Sequence, residues 1–213
     1  MRVIAIDGPA GSGKSTVAKA LAERLGLEYL DTGAMYRAVT FAALRRGVDP
    51  AEQEQVARMV LDLELEVGPD RVVVDGVDAT IEIRGPEVGR AVSIVAANPA
   101  VRAEMVLRQR AWVAAREGGV LEGRDIGTVV FPDAELKVYL TADPEVRAQR
   151  RSKEVRDLDY ETVAADLARR DALDQGRDVS PLVEAPDAFV LDTTGLAVEE
   201  IIDVIADRVV TRG

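Results

Sequence analysis

"GPAGSGKST", residues 8–16, decides the fold of this 213-residue chain. It matches the spacing GxxxxGK[ST] in full, and it stands between "RVIAID" (2–7), a short apolar strand, and a helix over 14–25 with Val17, Ala18, Leu21, Ala22 and Leu25 on one face. Glycines let successive backbone N–H groups turn toward one point, and the start of a helix adds partial positive charge there. The stretch is a cradle for an anion. Lys14 is placed to reach the β- and γ-phosphates of a nucleotide, and the Ser15 hydroxyl to bind the Mg²⁺ that bridges them. A glycine-rich turn with no ligand is the competing explanation, and strand, loop and helix standing in order weigh against it.

Strands and helices go on alternating downstream. "YRAVTFAALRRG" (36–47) reads as a helix stopped by Gly47. From 63 the period changes to two: "LELEV", "RVVVDG" and "ATIEIR", parted by the turn residues "GPD" and "GVD", predict a small antiparallel sheet over 63–84. Asn98 and Pro99 cap a long helix running to 116. "GVLEG" (119–123), "LKVYL" (136–140) and "AFVLDT" (188–193) are strands; "DPEVRAQRR" (143–151), "YETVAADLARRDAL" (160–173) and "VEEIIDVIADRVV" (198–210) are helices. Repeated β-α units imply an α/β fold with a mainly parallel sheet covered by helices on both faces, the 63–84 meander being an inserted lobe. No repeat, low-complexity stretch or linker divides the chain, so it reads as a single domain.

Composition narrows the chemistry. With 47% hydrophobic residues the chain can build a sizeable core. No apolar run nears the ~20 residues that span a bilayer, and "MRVIAIDGPAG" has neither the apolar centre nor the cleavage site of a secretory leader, so a cytoplasmic location is expected. There is no Cys and no His, which removes disulfides, thiolate or imidazole metal sites, and Cys/His or Ser/His/Asp catalysis. Any metal must be a hard ion on oxygen ligands. A net charge of -11 disfavours nucleic acid as a partner. Of the 27 cationic residues only four are Lys (14, 19, 137 and 153), which leaves 23 Arg, so the placement of arginines matters.

A phosphate cradle does not say what happens to the phosphate. A GTPase would need Asn-Lys-x-Asp to read its base, and the single asparagine, Asn98, precedes proline. A regulatory ATPase would carry a long apolar strand ending in adjacent acids, which "VVVDG" and "FVLDT" match poorly. A small-molecule kinase remains. An alcohol acceptor would need a base, for which Asp31 and Asp125 are available. A phosphate acceptor, with a second pKa of about 6, is already a dianion at neutral pH and needs only cationic positioning. Arginines stand at suitable places. "DTGAMYR" (31–37) sets the Thr32 hydroxyl, the Tyr36 ring and Arg37 near a helix start, and "EGRDIG" presents Arg124 at a strand's C-terminal end. "RRDALDQGR" (169–177) offers Arg170 and Asp174 one turn apart with Arg177 beyond; surface i,i+4 pairing would explain that last cluster equally.

"IDGPAGSGKST", "DTGAMYR", "SIVAANPAVR", "EGRDIGTVVFPDA" and "RRDALDQGRDVSPL", in that order and across nearly the whole chain, resemble the bacterial cytidylate kinase (CMP kinase) family. The resemblance implies a nucleoside-monophosphate kinase fold of P-loop type, with a core, an acceptor-binding lobe over roughly 31–100 and a short lid over roughly 147–160. It implies transfer of the γ-phosphoryl of ATP to CMP or dCMP by a monomer, with Mg²⁺ and no nucleic-acid or membrane partner. Gly8, Pro9, Ala10, Gly11, Ser12, Gly13, Lys14, Ser15 and Thr16 would hold ATP. Arg37, Arg124 and Arg177, with Tyr36 and Thr32 nearby, would surround the CMP phosphate and the reacting group. Ser93, Arg102 and Asp125 would surround the cytosine, and Arg170 and Asp174 the sugar hydroxyls. Arg147, Arg150 and Arg151 share a helix face in the lid, suited to closing over ATP phosphates or equally to a solvated surface. Glu122 would either touch a Mg²⁺-bound water or orient an arginine. A kinase for another small acceptor, such as UMP, AMP or shikimate, is the alternative within the fold, and a regulatory ATPase the alternative outside it.

Overall fold

Val3, Ile4, Ala5 and Ile6 are all buried, so the first strand, β1 (Arg2–Asp7), has no solvent face and belongs inside a covered sheet. In a computed structural model, which describes residues 1–154 and 159–210, it is the middle strand of five. The chain divides into two compact units, Met1–Tyr29 with Arg116–Gly213, and Leu30–Ala115.

In the first unit β1 leads through the glycine loop into α1 (Lys14–Leu25), and the chain leaves within β2 (Tyr29–Asp31). It returns in β6 (Gly118–Gly123), followed by β7 (Leu136–Thr141), α6 (Pro144–Glu154), α7 (Tyr160–Gln175), β8 (Phe189–Asp192) and α8 (Val198–Val210). The sheet order is β2-β6-β1-β7-β8, with β6 and β7 parallel to β1 and β8 parallel to β7. Val17, Ala18 and Leu21 of α1 and Ile201, Ile205 and Val209 of α8 pack on Ile4, Ile6, Val120, Val138 and Leu140. The register sets Asp7 beside Gly123, so the two motif-bearing strands end level. After Asp125 comes a π-helical turn, Ile126–Val130, in which Val130 N–H donates to the Asp125 carbonyl at 3.2 Å and Phe131 N–H to that of Ile126 at 2.7 Å.

The second unit holds α2 (Thr32–Arg45), α3 (Gln53–Leu61), an antiparallel sheet of β3 (Leu65–Val67), β4 (Val72–Val74) and β5 (Val77–Asp78), then α4 (Pro86–Ala97) and α5 (Pro99–Ala114). Several local expectations change here. α2 starts at Thr32, ahead of Tyr36, because the Asp31 carboxylate accepts the Ala34 N–H at 2.8 Å and caps it. "ATIEIR" is no strand: Asp78 Oδ1 accepts from the Thr80 N–H and hydroxyl, Thr80 Oγ1 accepts from Val72 N–H, and the chain coils into a 3₁₀ turn at Glu82–Arg84. Ile81 and Ile83 would share a face in a strand, yet the first is 82% exposed and the second fully buried. α3 and α4 lie outside the predicted elements. α4 nonetheless carries a helical signature, Pro86 at its first turn and Val88, Val92 and Val95 buried along one side. Asn98 caps α5 as expected, accepting from Ala100 and Val101 N–H. Of the lid segment 147–160, residues 155–158 lie outside the described residues.

Candidate active site

The glycine loop is held by backbone conformations closed to other residues. Gly8 has φ +147, and a Cβ there would fall 2.0 Å from the Leu140 carbonyl oxygen; Gly13, at φ +91, opens α1. No acidic residue occupies the first turn of α1, which leaves its positive end to an anion. Lys14 is buried and lies back on its own loop, Nζ donating to the Pro9 carbonyl at 2.7 Å. Burial and then the charge of Arg124 push the Lys14 ammonium down to about 7, against the pull of Glu122, Asp7 and Asp171. Negative charge arriving in the cradle would restore it. Ser15 and Thr16 are exposed at the helix start. Among the described residues no three acidic side chains cluster to cage a metal. One accessible hydroxyl beside a phosphate cradle is a donor set that fits Mg²⁺, an ion that keeps waters and takes phosphate oxygens.

Arg124 leaves the end of β6 and reaches two ways: its Nε donates to Asp174 Oδ2 at 2.8 Å and its Nη1 to the Gly8 carbonyl at 3.1 Å. Asp174, on α7, is also 3.8 Å from Arg177 Nη1. Burial raises the Asp174 carboxyl, but Arg124, Arg177 and Arg170 outweigh it and hold it below the usual range. Arg170 is pushed down to about 10, by burial first and by Arg124 next, and its buried Nε has no hydrogen-bond partner. Three guanidiniums thus gather on one carboxylate. Asp171 also acts on Arg124 and Arg170, and Glu122 on Arg124; guanidiniums gathered this closely suit a multivalent anion.

Glu122 is buried, with Oε1 accepting the Tyr29 hydroxyl at 2.6 Å, and its charge supports both Lys14 and Arg124. The lid arginines divide. Arg147 Nη1 donates to the Ala10 carbonyl at 3.1 Å and pairs with Asp171, while its Nε holds the Ala142 carbonyl. Arg150 grips Thr193 through Oγ1 at 2.9 Å and the carbonyl at 2.8 Å, and Arg151 is half-buried. Asp171 Oδ1 accepts the Ala10 N–H at 3.3 Å, and the buried Thr193 hydroxyl lies 3.2 Å from the Ser12 carbonyl. Asp171, Thr193 and Tyr29 therefore brace the site, and sequence reasoning missed all three. "RRD" and "LDTT" were visible, but nothing local says what an aspartate or threonine will face.

In the second unit Thr32 and Tyr36 are buried on α2, and Arg102 of α5 lies over the Tyr36 ring at 5.3 Å while donating to the Ala96 carbonyl at 3.1 Å. Arg37 Nη1 donates to the Ile83 carbonyl at 3.3 Å, and Ser93 is buried on α4. Asp125, in the first unit, is buried at the head of the π-helical turn.

Strand, glycine loop, helix and a converging set of arginines on a parallel sheet define a P-loop kinase. A shikimate kinase from Acinetobacter baumannii shares the fold at TM-score 0.51, with 18% identity over 99% of this chain and 94% of that one. TT1252 from Thermus thermophilus does so at 0.50, with 21% identity over 97% of each. The family model for cytidylate kinase matches residues 4–211, and the chain belongs to that family. It is 51% identical over 207 residues to the cytidylate kinase of Desulfitobacterium hafniense (strain Y51), covering 94% of this chain and 89% of that one. It is 50% identical over 216 residues to that of Mycolicibacterium paratuberculosis (strain ATCC BAA-968 / K-10), covering 97% and 94%.

Proposed function

We propose that this chain transfers the γ-phosphoryl group of ATP to CMP or dCMP, giving ADP and CDP or dCDP. The observation that carries the reading is the cluster of Arg124, Arg170 and Arg177 on Asp174, with Lys14 beside Arg124, in a chain whose net charge is -11. A phosphate acceptor needs no base, only a cationic frame that brings two anions into line. Gly8 to Thr16 hold the ATP phosphates, and Lys14 follows the charge that spreads over the transferring group. Arg124, Arg177 and Arg37 grip the acceptor phosphate, with Thr32 and Tyr36 close by. The Ser15 hydroxyl would hold Mg²⁺, which would supply positive charge to the nucleotide phosphates. Arg147 and Arg150 brace the loop, and Arg151 would meet the ATP phosphates.

The acceptor lobe is read over roughly 31–100, inside the compact unit Leu30–Ala115. Ser93, Arg102 and Asp125 read the base: cytosine shows an N4 donor beside an N3 acceptor, uracil the reverse, and a carboxylate accepts from N4 but repels O4. Arg170 and Asp174 serve the sugar hydroxyls, Asp174 holding Arg124 as well. The same reading has the enzyme work as a monomer in the cytoplasm. A coupled assay with ATP, Mg²⁺ and a panel of CMP, dCMP, UMP, AMP, GMP and shikimate tests it. CMP or dCMP should lead by roughly ten- to a hundredfold in kcat/KM over UMP, and indifference to the base would sink the assignment.

A further inference from the structure

Asp7 has none of the roles above, yet it ends β1 one residue before the phosphate loop and is buried. Its Oδ1 accepts the Ile126 N–H at 2.8 Å and its Oδ2 the Gly127 N–H at 2.7 Å, so both oxygens are engaged by the first two amides of the π-helical turn. Those amides follow directly on Arg124 and Asp125. One step along, the Gly8 carbonyl accepts Arg124 Nη1 at 3.1 Å. The two strand ends are therefore tied reciprocally, side chain to backbone in each direction. The turn sits close against this grip: a Cβ on Gly127 would lie 3.1 Å from Lys137 Cγ and 3.4 Å from Asp7 Oδ2.

We propose that Asp7 is a positioning residue for phosphoryl transfer, fixing the backbone at 126–127 and thereby the direction in which Arg124 and Asp125 leave the end of β6. The proposal rests on the transferase reading. Burial, then the neighbouring Asp125, push the Asp7 carboxyl up to about 6, while the Gly127 and Ile126 amides and Lys14 act the other way. A raised carboxyl contributes stability that is complete below its ordinary range near 3.8 and is lost as pH rises through about 6. At neutral pH the charge thus works against the fold. Asparagine has the same shape but offers one acceptor and turns an NH₂ toward the second amide.

The test is Asp7→Asn, alone and with Arg124→Lys. Turnover with ATP and CMP should fall at least roughly tenfold while KM for ATP stays within about threefold. Arg124→Lys should cost at least about tenfold in the Asp7 background but under about threefold in the Asn background, because the arginine is already misdirected. Hydrogen exchange at the Ile126 and Gly127 amides should quicken by at least about tenfold. Wild-type turnover in Asp7→Asn, or an undiminished Arg124→Lys penalty in it, overturns the proposal. If the variant does not fold, the wild type still decides, since its Ile126 and Gly127 amides, held by Asp7 Oδ1 and Oδ2, should exchange slowly. Fast exchange at both amides in the wild type would overturn the grip itself. The amide readout is independent of the acceptor, so slow exchange in a wild type inactive on CMP would remove the transferase reading, and the positioning role with it.

Discussion

The two units differ in the cations they bury. In the unit of the phosphate loop, cations are buried and set against one another: Arg124, Arg170 and Arg177 converge on Asp174, and Lys14 is depressed by burial and by Arg124. In Leu30–Ala115 the pair Arg71–Asp78 has side chains 68% and 53% exposed, and Arg84 is 60% exposed where it meets Asp31. The lobe's buried Arg102 donates to a carbonyl and covers an aromatic ring. A charge taken out of water is costly until something of opposite sign arrives, whereas an exposed pair is worth little. The first unit is built to be completed by an anion.

Removing the buried ammonium should break that contrast most severely. Lys14→Met should leave a folded protein, its melting midpoint unchanged or higher because a desolvated charge is gone, with turnover down by roughly a thousandfold, about 4 kcal/mol. Near wild-type turnover at saturating ATP and Mg²⁺ would mean the loop is not the phosphate cradle. Asp125→Ala should act on choice rather than on the ATP site. The ratio of kcat/KM for CMP over UMP should collapse by roughly ten- to a hundredfold while KM for ATP holds; equal losses on both nucleotides would place Asp125 on phosphate or fold instead.

Arg124→Lys keeps the charge and loses the fork that meets Asp174 and the Gly8 carbonyl together. At least a roughly tenfold loss in turnover, about 1.4 kcal/mol, is expected. An unchanged rate would return this arginine to a purely structural pair. Arg71→Ala, on the lobe's surface, should do least: turnover unaltered and a melting midpoint within about 2 °C of wild type. A larger shift would show that the lobe too depends on paired charge and would erase the distinction between the units.

Much of the site was legible before any coordinates, since its parts are local. The spacing of Gly8, Gly13 and Lys14 specifies a turn and a helix start within nine residues, and Asn98-Pro99 announces a cap without help from elsewhere. Arg124 stands out at a strand's C-terminal end, where ligands of α/β sheets bind, whereas Arg170, Asp174 and Arg177 read equally well as surface pairs and take their roles from the family resemblance. The meander was over-read at 79–84, where Ile81 and Ile83 alternate as a strand would while a three-residue Asx turn at Asp78 had already redirected the chain. α3, with Val56, Met59 and Val60 buried, and α4, with Val88, Val92 and Val95 buried, carry helical spacing too, yet both lie outside the elements expected from the sequence.

The sequence by itself therefore determined the phosphate loop, the α/β order and the family, all of which follow from short-range pattern and from motifs read in succession. Only the tertiary structure decided which carboxylate serves which cation or amide: Asp7 on Ile126 and Gly127, Asp171 on Ala10, Glu122 on Tyr29, Asp174 on Arg124. Those partners are between 50 and 161 residues apart along the chain. An isolated aspartate reads the same in one dimension whether it will face water, an amide or an arginine. Its role is set when parallel strands finish level and burial removes the water that would otherwise satisfy it.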